Sequence, residues 1–177
     1  MKTATSLLAL AVAAPLTATA AAADLTRLAS VPVGAEITGM YLTEGGDFFF
    51  NLQHPSTAIT GPFNKAIVVD ADFNSLPGKF IASPVPGNGY AKQTVQTAVG
   101  TYQVLAQQGD FAETVPGGLG AIHAADGSVL KSSNDPDFNG FIPTGENEGY
   151  LFTNWEDRPG GMSRMKLMKE GGRWLVD

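Results

Sequence analysis

The sequence predicts an all-β domain built of antiparallel sheets. Three observations lead there. Apolar and alternating runs are short, about four to seven residues, as strands of half-buried sheets are. After residue 23 the chain carries all 21 of its glycines and ten of its 11 prolines, which punctuate those runs every ten residues or so. No long stretch has a helical period. Regular short strands with Gly and Pro turns indicate a partial β-propeller or, alternatively, a β-sandwich.

The expected strands are Ile37–Leu42, Phe48–Leu52, Ala66–Val69, Lys79–Ala82, Gly100–Ala106, Ala121–Ala124, Ser128–Lys131, Tyr150–Asn154, Met162–Met168 and Arg173–Val176. Residues 90–108 are the one place where a helix competes. Thr94, Val95, Thr97, Val99 and Thr101 are β-branched there, which favours strand. Asp126-Gly127 reads as a two-residue hairpin turn. Ser83–Gly89, rich in Pro and Gly, reads as a loop. Faint repetition is visible. Asp70-Ala-Asp-Phe-Asn-Ser75 is echoed by Asp135-Pro-Asp-Phe-Asn-Gly140. Thr38-Gly39 ahead of Phe50-Asn51-Leu52-Gln53 is echoed by Thr144-Gly145 ahead of Phe152-Thr153-Asn154-Trp155-Glu156. A propeller blade takes about 40–50 residues, so this length has room for roughly three.

Residues 1–23 read as a secretory signal. Lys2 supplies the positive start, Leu7–Leu16 an apolar centre broken by Pro15, and Ala18 to Ala23 small residues for cleavage before Asp24. The run is too short and Ala-rich for a transmembrane helix, and no other run reaches membrane-spanning length. The expectation is a domain over 24–177 in the periplasm or outside the cell. Without the signal the chain has 10 basic residues against 17 acidic. That balance argues against nucleic acid and anionic membranes as partners. There are no cysteines, which excludes disulfides, zinc–thiolate sites and thiol catalysis.

Two stretches carry the chemistry. In Gly149-Tyr-Leu-Phe-Thr-Asn-Trp-Glu-Asp-Arg-Pro-Gly-Gly-Met-Ser-Arg164 an apolar strand runs into a cluster of polar groups, and Pro159-Gly160-Gly161 end it. In Gly45-Gly-Asp-Phe-Phe-Phe-Asn-Leu-Gln-His-Pro55 an aromatic strand ends in Asn-x-Gln and a His-Pro turn. Glu156, beside Trp155, is expected to be partly buried and to meet either a cation or Arg158 or Arg164. Asn154 offers a carbonyl to a hard cation or caps the turn. Asp157 fits an Asx-type turn. Arg158 and Arg164 have the planar donors that clamp a phosphate, or are surface charges. Glu36 is a ligand or a solvated strand start. His54 is an acid, a base or an anion contact, or else it fixes the turn before Pro55. His123 reads as structural; with two histidines the chain cannot make a three-His zinc site. Asp70-Ala-Asp72 and Asp135-Pro-Asp137 resemble the start of a calcium loop but lack its glycine and distal glutamate. Phe73 and Phe138 suggest loops pinned by an aromatic ring. No dinucleotide, P-loop or Gly-x-Ser-x-Gly signature is present.

Glu36-Ile-Thr-Gly39 with Asn51-Leu-Gln-His-Pro55 resembles a late motif of the PhoX-type alkaline phosphatases and their wider bacterial relatives. Asp137-Phe-Asn139 with Tyr150 to Arg164 resembles an early motif of the same group. The resemblance implies a secreted β-propeller whose mouth binds calcium, sometimes with iron, and hydrolyses phosphate esters. Carried over, Asn154 and Glu156 would be metal-side groups, and Glu36, Gln53 and His54 would belong to the late motif. Read from the residues themselves, Glu36 is a further expected metal ligand, and His54 and Arg158 are the expected catalytic groups. The family enzymes are longer, their motif order is reversed here, and the cysteine associated with iron is absent. The resemblance therefore implies calcium and not iron. It leaves two functions open: a calcium-dependent phosphoesterase, or a non-catalytic remnant or binding module. An incomplete propeller also predicts self-association through its open strand edges.

Overall fold

The computed structural model describes residues 25–60, 62–72, 79–87 and 89–177; the signal segment, its cleavage region and Phe73 lie outside these residues. The described residues form twelve strands and two short 3-10 turns, Pro62–Asn64 and Gly89–Gln93, with no α-helix among them. The strands are β1 (Ala29–Ser30), β2 (Glu36–Leu42), β3 (Asp47–Gln53), β4 (Ile67–Asp72), β5 (Gln96–Thr97) and β6 (Thr101–Gln107). They continue with β7 (Ala121–His123), β8 (Val129–Ser132), β9 (Pro136–Gly145), β10 (Glu148–Trp155), β11 (Gly161–Glu170) and β12 (Arg173–Val176). No described helix is long and apolar enough to cross a membrane.

Two four-stranded antiparallel meanders carry the fold. One runs β2-β3-β4-β6 and the other β9-β10-β11-β12, each in chain order from one edge to the other. They pack face to face with β2 beside β9 and β6 beside β12, an open all-β arrangement that fits a partial propeller or a sandwich. The length has room for about three blades; the described residues form two four-stranded sheets, with β1 and β5 in their own small ladder and β7 and β8 in their own hairpin.

Strand alternation explains the layering. From β3, Phe49 points into the core between the sheets, where it meets Val68, Phe141, Leu151, Leu167 and Trp174. The flanking Phe50 and Leu52 point the other way, into a second core with Ile67, Val69, Phe63 and Val95. The central strands of the first sheet are therefore buried on both faces, which fits the run of Phe48, Phe49, Phe50 and Leu52 interrupted only by Asn51, while Met40 and Leu42 on edge strand β2 stay exposed. Phe49, Phe141 and Trp174 form an aromatic cluster with ring centroids 5.3–6.4 Å apart. Such offset pairs add to the area they bury.

One buried polar chain crosses this apolar interface. Asn139 donates through Nδ2 to Asn51 Oδ1 at 2.9 Å, and Thr153 donates through Oγ1 to Asn139 Oδ1 at 2.7 Å. All three residues are fully buried. Gly39 sits directly over Asn51. Its φ is +59°, and an added Cβ would lie 2.3 Å from Asn51 Nδ2 and 3.1 Å from the Asn139 amide nitrogen. The β2–β3 register shifts between Thr38 and Tyr41 around that glycine.

Several local expectations fail for physical reasons. Lys79–Ala82 is not a strand; the chain there runs irregularly, and Ser83 donates its amide to Arg27 O at 2.8 Å. Residues 89–93 form a 3-10 turn before β5 and β6, so the β-branched run is not continuous strand. The Asp126-Gly127 hairpin loop has three residues. Ala124 accepts from Gly127 at 3.0 Å and donates to Ser128 O at 2.9 Å, and Gly127 takes φ +83°. Asp135 to Gly140 is mainly the long strand β9, and Phe138 is 56% exposed on it, so it pins no loop. Asp70 and Asp72 lie on β4, where Asp70 Oδ2 accepts from Gln103 at 3.1 Å, so this pair opens no calcium loop. The Phe50–Gln53 and Phe152–Glu156 echo is structural, since both segments end the second strand of their meander.

Replacing Asn139 by Ala strands Asn51 and Thr153 in a dry interface and should lower the unfolding free energy by about 2–4 kcal/mol. Gly39→Ala should cost about 2–3 kcal/mol through its left-handed backbone and its contact with Asn51. Urea unfolding with an unchanged m-value checks both. A loss below about 0.5 kcal/mol in either would remove the assigned role.

Candidate functional site

Strand polarity brings the two motifs to one end of the molecule. β2 and β9 start there, and β3 and β10 finish there. Glu36 opens β2, Gln53 closes β3, Asp135 precedes β9 and Glu156 follows β10. The short segment before β9 joins them. Asn134 O accepts the His54 amide at 2.9 Å, and Asp135 O accepts the Glu156 amide at 2.7 Å. His54 and Glu156 thus flank one stretch of backbone.

An open depression of about 580 Å³ lies over this junction, lined by Glu36, Gln53, His54, Asp135, Glu156, Asp157 and Arg158. Most of the residues singled out in the two sequence motifs meet there. His54 Nε2 lies 3.7 Å from Glu36 Oε1, and the two side chains are 40% and 66% exposed. His54 has φ +34°, a region that non-glycine residues seldom occupy. Its conformation is held by the bond to Asn134 and by the strand before it, and strain of this kind gathers at functional sites.

Glu156 is exposed, which corrects the expectation of partial burial: Thr153 and Trp155 face inward, so the next position, just past the strand end, faces outward. Its carboxylate makes no ion pair or hydrogen bond among the described residues, so neither Arg158 nor Arg164 neutralises it. Arg164 instead stacks over the Tyr150 ring at 5.0 Å, on the outer face of the second sheet. The Arg158 guanidinium is exposed and likewise unpaired among the described residues.

Asp157 ties the β10–β11 turn to β8 rather than forming an Asx turn. It pairs with Lys131, whose ammonium also donates to Arg158 O at 3.0 Å, and it accepts the Arg158 amide at 2.9 Å. Lys131 holds the Asp157 carboxyl below its ordinary pKa, and the Arg158 amide adds to this. Lys131 therefore positions the backbone that carries Arg158. His123 contacts Pro116 O at 2.8 Å, away from the rim, consistent with a structural role.

Asn154 is separated from Glu36. Alternation points it outward from β10, and it borders a second depression of about 490 Å³ with Asp137 and Glu156. Glu156 stands between the two depressions. The three expected metal-side residues, Asn154, Glu156 and Glu36, therefore do not share one pocket. Among the described residues no three His, Asp or Glu side chains are grouped to hold a metal ion. Asp135 was not singled out as a rim residue; the Asp-Pro pair ahead of a strand was its signal, hidden by likeness to an acidic loop.

The chain matches no family model, no curated protein and no solved structure. The fold and the rim define an all-β protein of two antiparallel meanders with an acidic, open end.

Asp157 should titrate below the ordinary aspartate value of about 3.9. A depressed carboxylate contributes stability that is present above its unfolded pKa and is lost as pH falls through its folded one. Lys131→Met should bring the Asp157 pKa back up and loosen the turn carrying Arg158. Carboxyl-detected NMR titration of both proteins reads this, and an unshifted Asp157 in the wild type would contradict it.

Proposed function

We propose that the chain is an exported, non-catalytic binding module of the PhoX-like propeller group, acting in the periplasm or outside the cell. Its rim takes calcium weakly and, through it, a small phosphorylated ligand. One observation carries this reading: the Glu156 carboxylate, without a partner among the described residues, stands on the same rim as Glu36 and Asp135. An uncompensated acidic rim attracts a cation and repels a bare anion. Rim carboxylates and the Gln53 amide supply only part of the six to eight oxygens that calcium takes, so water fills the rest of its shell. That places the affinity on the order of 10⁻⁴–10⁻³ M, the class of extracellular modules. With the carboxylates neutralised, Arg158 and His54 are placed to contact a phosphate.

Phosphoester hydrolysis is the second reading, favoured by the strained His54 at 3.7 Å from Glu36. A histidine next to a carboxylate can hold or release a proton near neutral pH. The lack of a three-ligand group among the described residues weighs against this reading, since metal-assisted hydrolysis needs firmly held metal.

Calcium at ten times its dissociation constant should stabilise the fold by about 1.4 kcal/mol, a melting rise of about 3–6 °C. Glu156→Gln should remove most of that rise while changing the calcium-free protein by no more than about 0.5 kcal/mol. Calorimetric scans in calcium and in chelator check both; equal wild-type melting points would reject the calcium rim. Turnover of p-nitrophenyl phosphate that His54→Ala abolishes would replace this reading with the hydrolytic one.

A further inference from the structure

The outer face of the second sheet carries several exposed apolar side chains. Register places three rows of side chains there: Phe138–Asn154–Met162, Gly140–Phe152–Arg164 and Ile142–Tyr150–Lys166. Phe138 and Ile142 are each 56% exposed and Met162 is 66% exposed, while Leu175 extends the face along β12 at 47%. Two of the charges on this face are engaged: Arg164 stacks on Tyr150, and Lys166 pairs with Asp177; Glu148 stands at its far end, opposite Met168.

We infer that this face is the contact between two copies of the chain. The first sheet decides what kind of contact can form. Its corresponding face is covered over β3 and β4, where Phe50, Leu52, Ile67 and Val69 meet Ile59, Phe63, Val95 and the segment around β1, and is open only along β2 at Ile37 and Leu42. A ring of such units grows head to tail and needs a broad open face on both sides of each. Among the described residues this chain offers one broad open face. An assembly that uses a single patch on each copy is isologous and closes as a two-fold dimer.

The area is sufficient. Four strands about 4.8 Å apart over about six residues cover roughly 380 Å² in projection. Interdigitating side chains raise that to on the order of 700–800 Å² of accessible surface per copy, close to that of a standard stable interface. Exposed apolar patches of this size mark interaction sites. Association occurs through the sheet face and not through its edges, as open blades would otherwise suggest.

Sedimentation velocity of the purified protein with its native N-terminus tests this. The wild type should run as a dimer at micromolar concentration. Ile142→Glu and Met162→Glu place a charge in the contact at exposed positions, and each should weaken the dimer at least tenfold while leaving the far-ultraviolet circular dichroism unchanged. Leu130→Glu, at a 53% exposed site on β8, should leave it intact. A wild-type monomer at about 100 μM, well above the affinity of a standard-size interface, would overturn the inference and leave the face to a different protein. A dimer that survives both face substitutions would overturn it in favour of edge pairing.

Discussion

The hydrogen-bonded chain from Asn51 through Asn139 to Thr153 sets how the two sheets sit on each other. Apolar side chains between sheets tolerate small slides, because area burial has no direction. A buried amide pair does not, since a displaced partner leaves polar groups unsatisfied in a dry interior. Asn51 belongs to the first meander, and Asn139 and Thr153 to the second, so the chain fixes one against the other. Gly39 completes the arrangement by leaving Asn51 the room that a side chain would take.

From that fixed relation the two ends of the sandwich take different characters. At one end Asp47 receives two 2.9 Å hydrogen bonds from Lys169, whose ammonium lies 5.3 Å from the Trp174 ring centroid. Both side chains are largely buried, and the pair joins the start of β3 to the end of β11. Charge pairing ties that end together at the floor of a depression of about 660 Å³ that Asp47, Lys169 and Trp174 help to line. At the other end Glu36, His54, Asp135 and Glu156 surround an open depression, and the bonds that position them come from backbone atoms of residues 134 and 135. Backbone does the holding there, and the Glu156 and Arg158 side chains are unpaired among the described residues.

Much of the sheet content was legible along the chain because strand periodicity is local. Phe48 to Leu52 and Tyr150 to Asn154 announced strands, and the structure adds that the first is buried on both faces and the second on one. The failures share a cause. β9 was obscured because Asp135, Pro136 and Asp137 carry turn chemistry, yet β10 supplies the hydrogen bonds that make this segment a strand. The expected strand at Lys79–Ala82 found no partner edge and stayed irregular. The burial of Glu156 was inferred from Trp155 beside it, but adjacent residues at a strand end point in different directions.

The sequence by itself determined the all-β class, the candidate groups at the ends of β3 and β10, and the acidic character of the chain, because alternation, turn residues and charge can be read without knowing any distant contact. Tertiary structure alone decided that Glu36, His54 and Glu156 share a rim and that Asn154 faces elsewhere. It also decided that one sheet is covered on both sides and the other on one. Those outcomes depend on which strand ends lie side by side. Pairings across some hundred residues set that, such as Asn51 with Asn139 and Asp47 with Lys169, and neither partner's local sequence signals it.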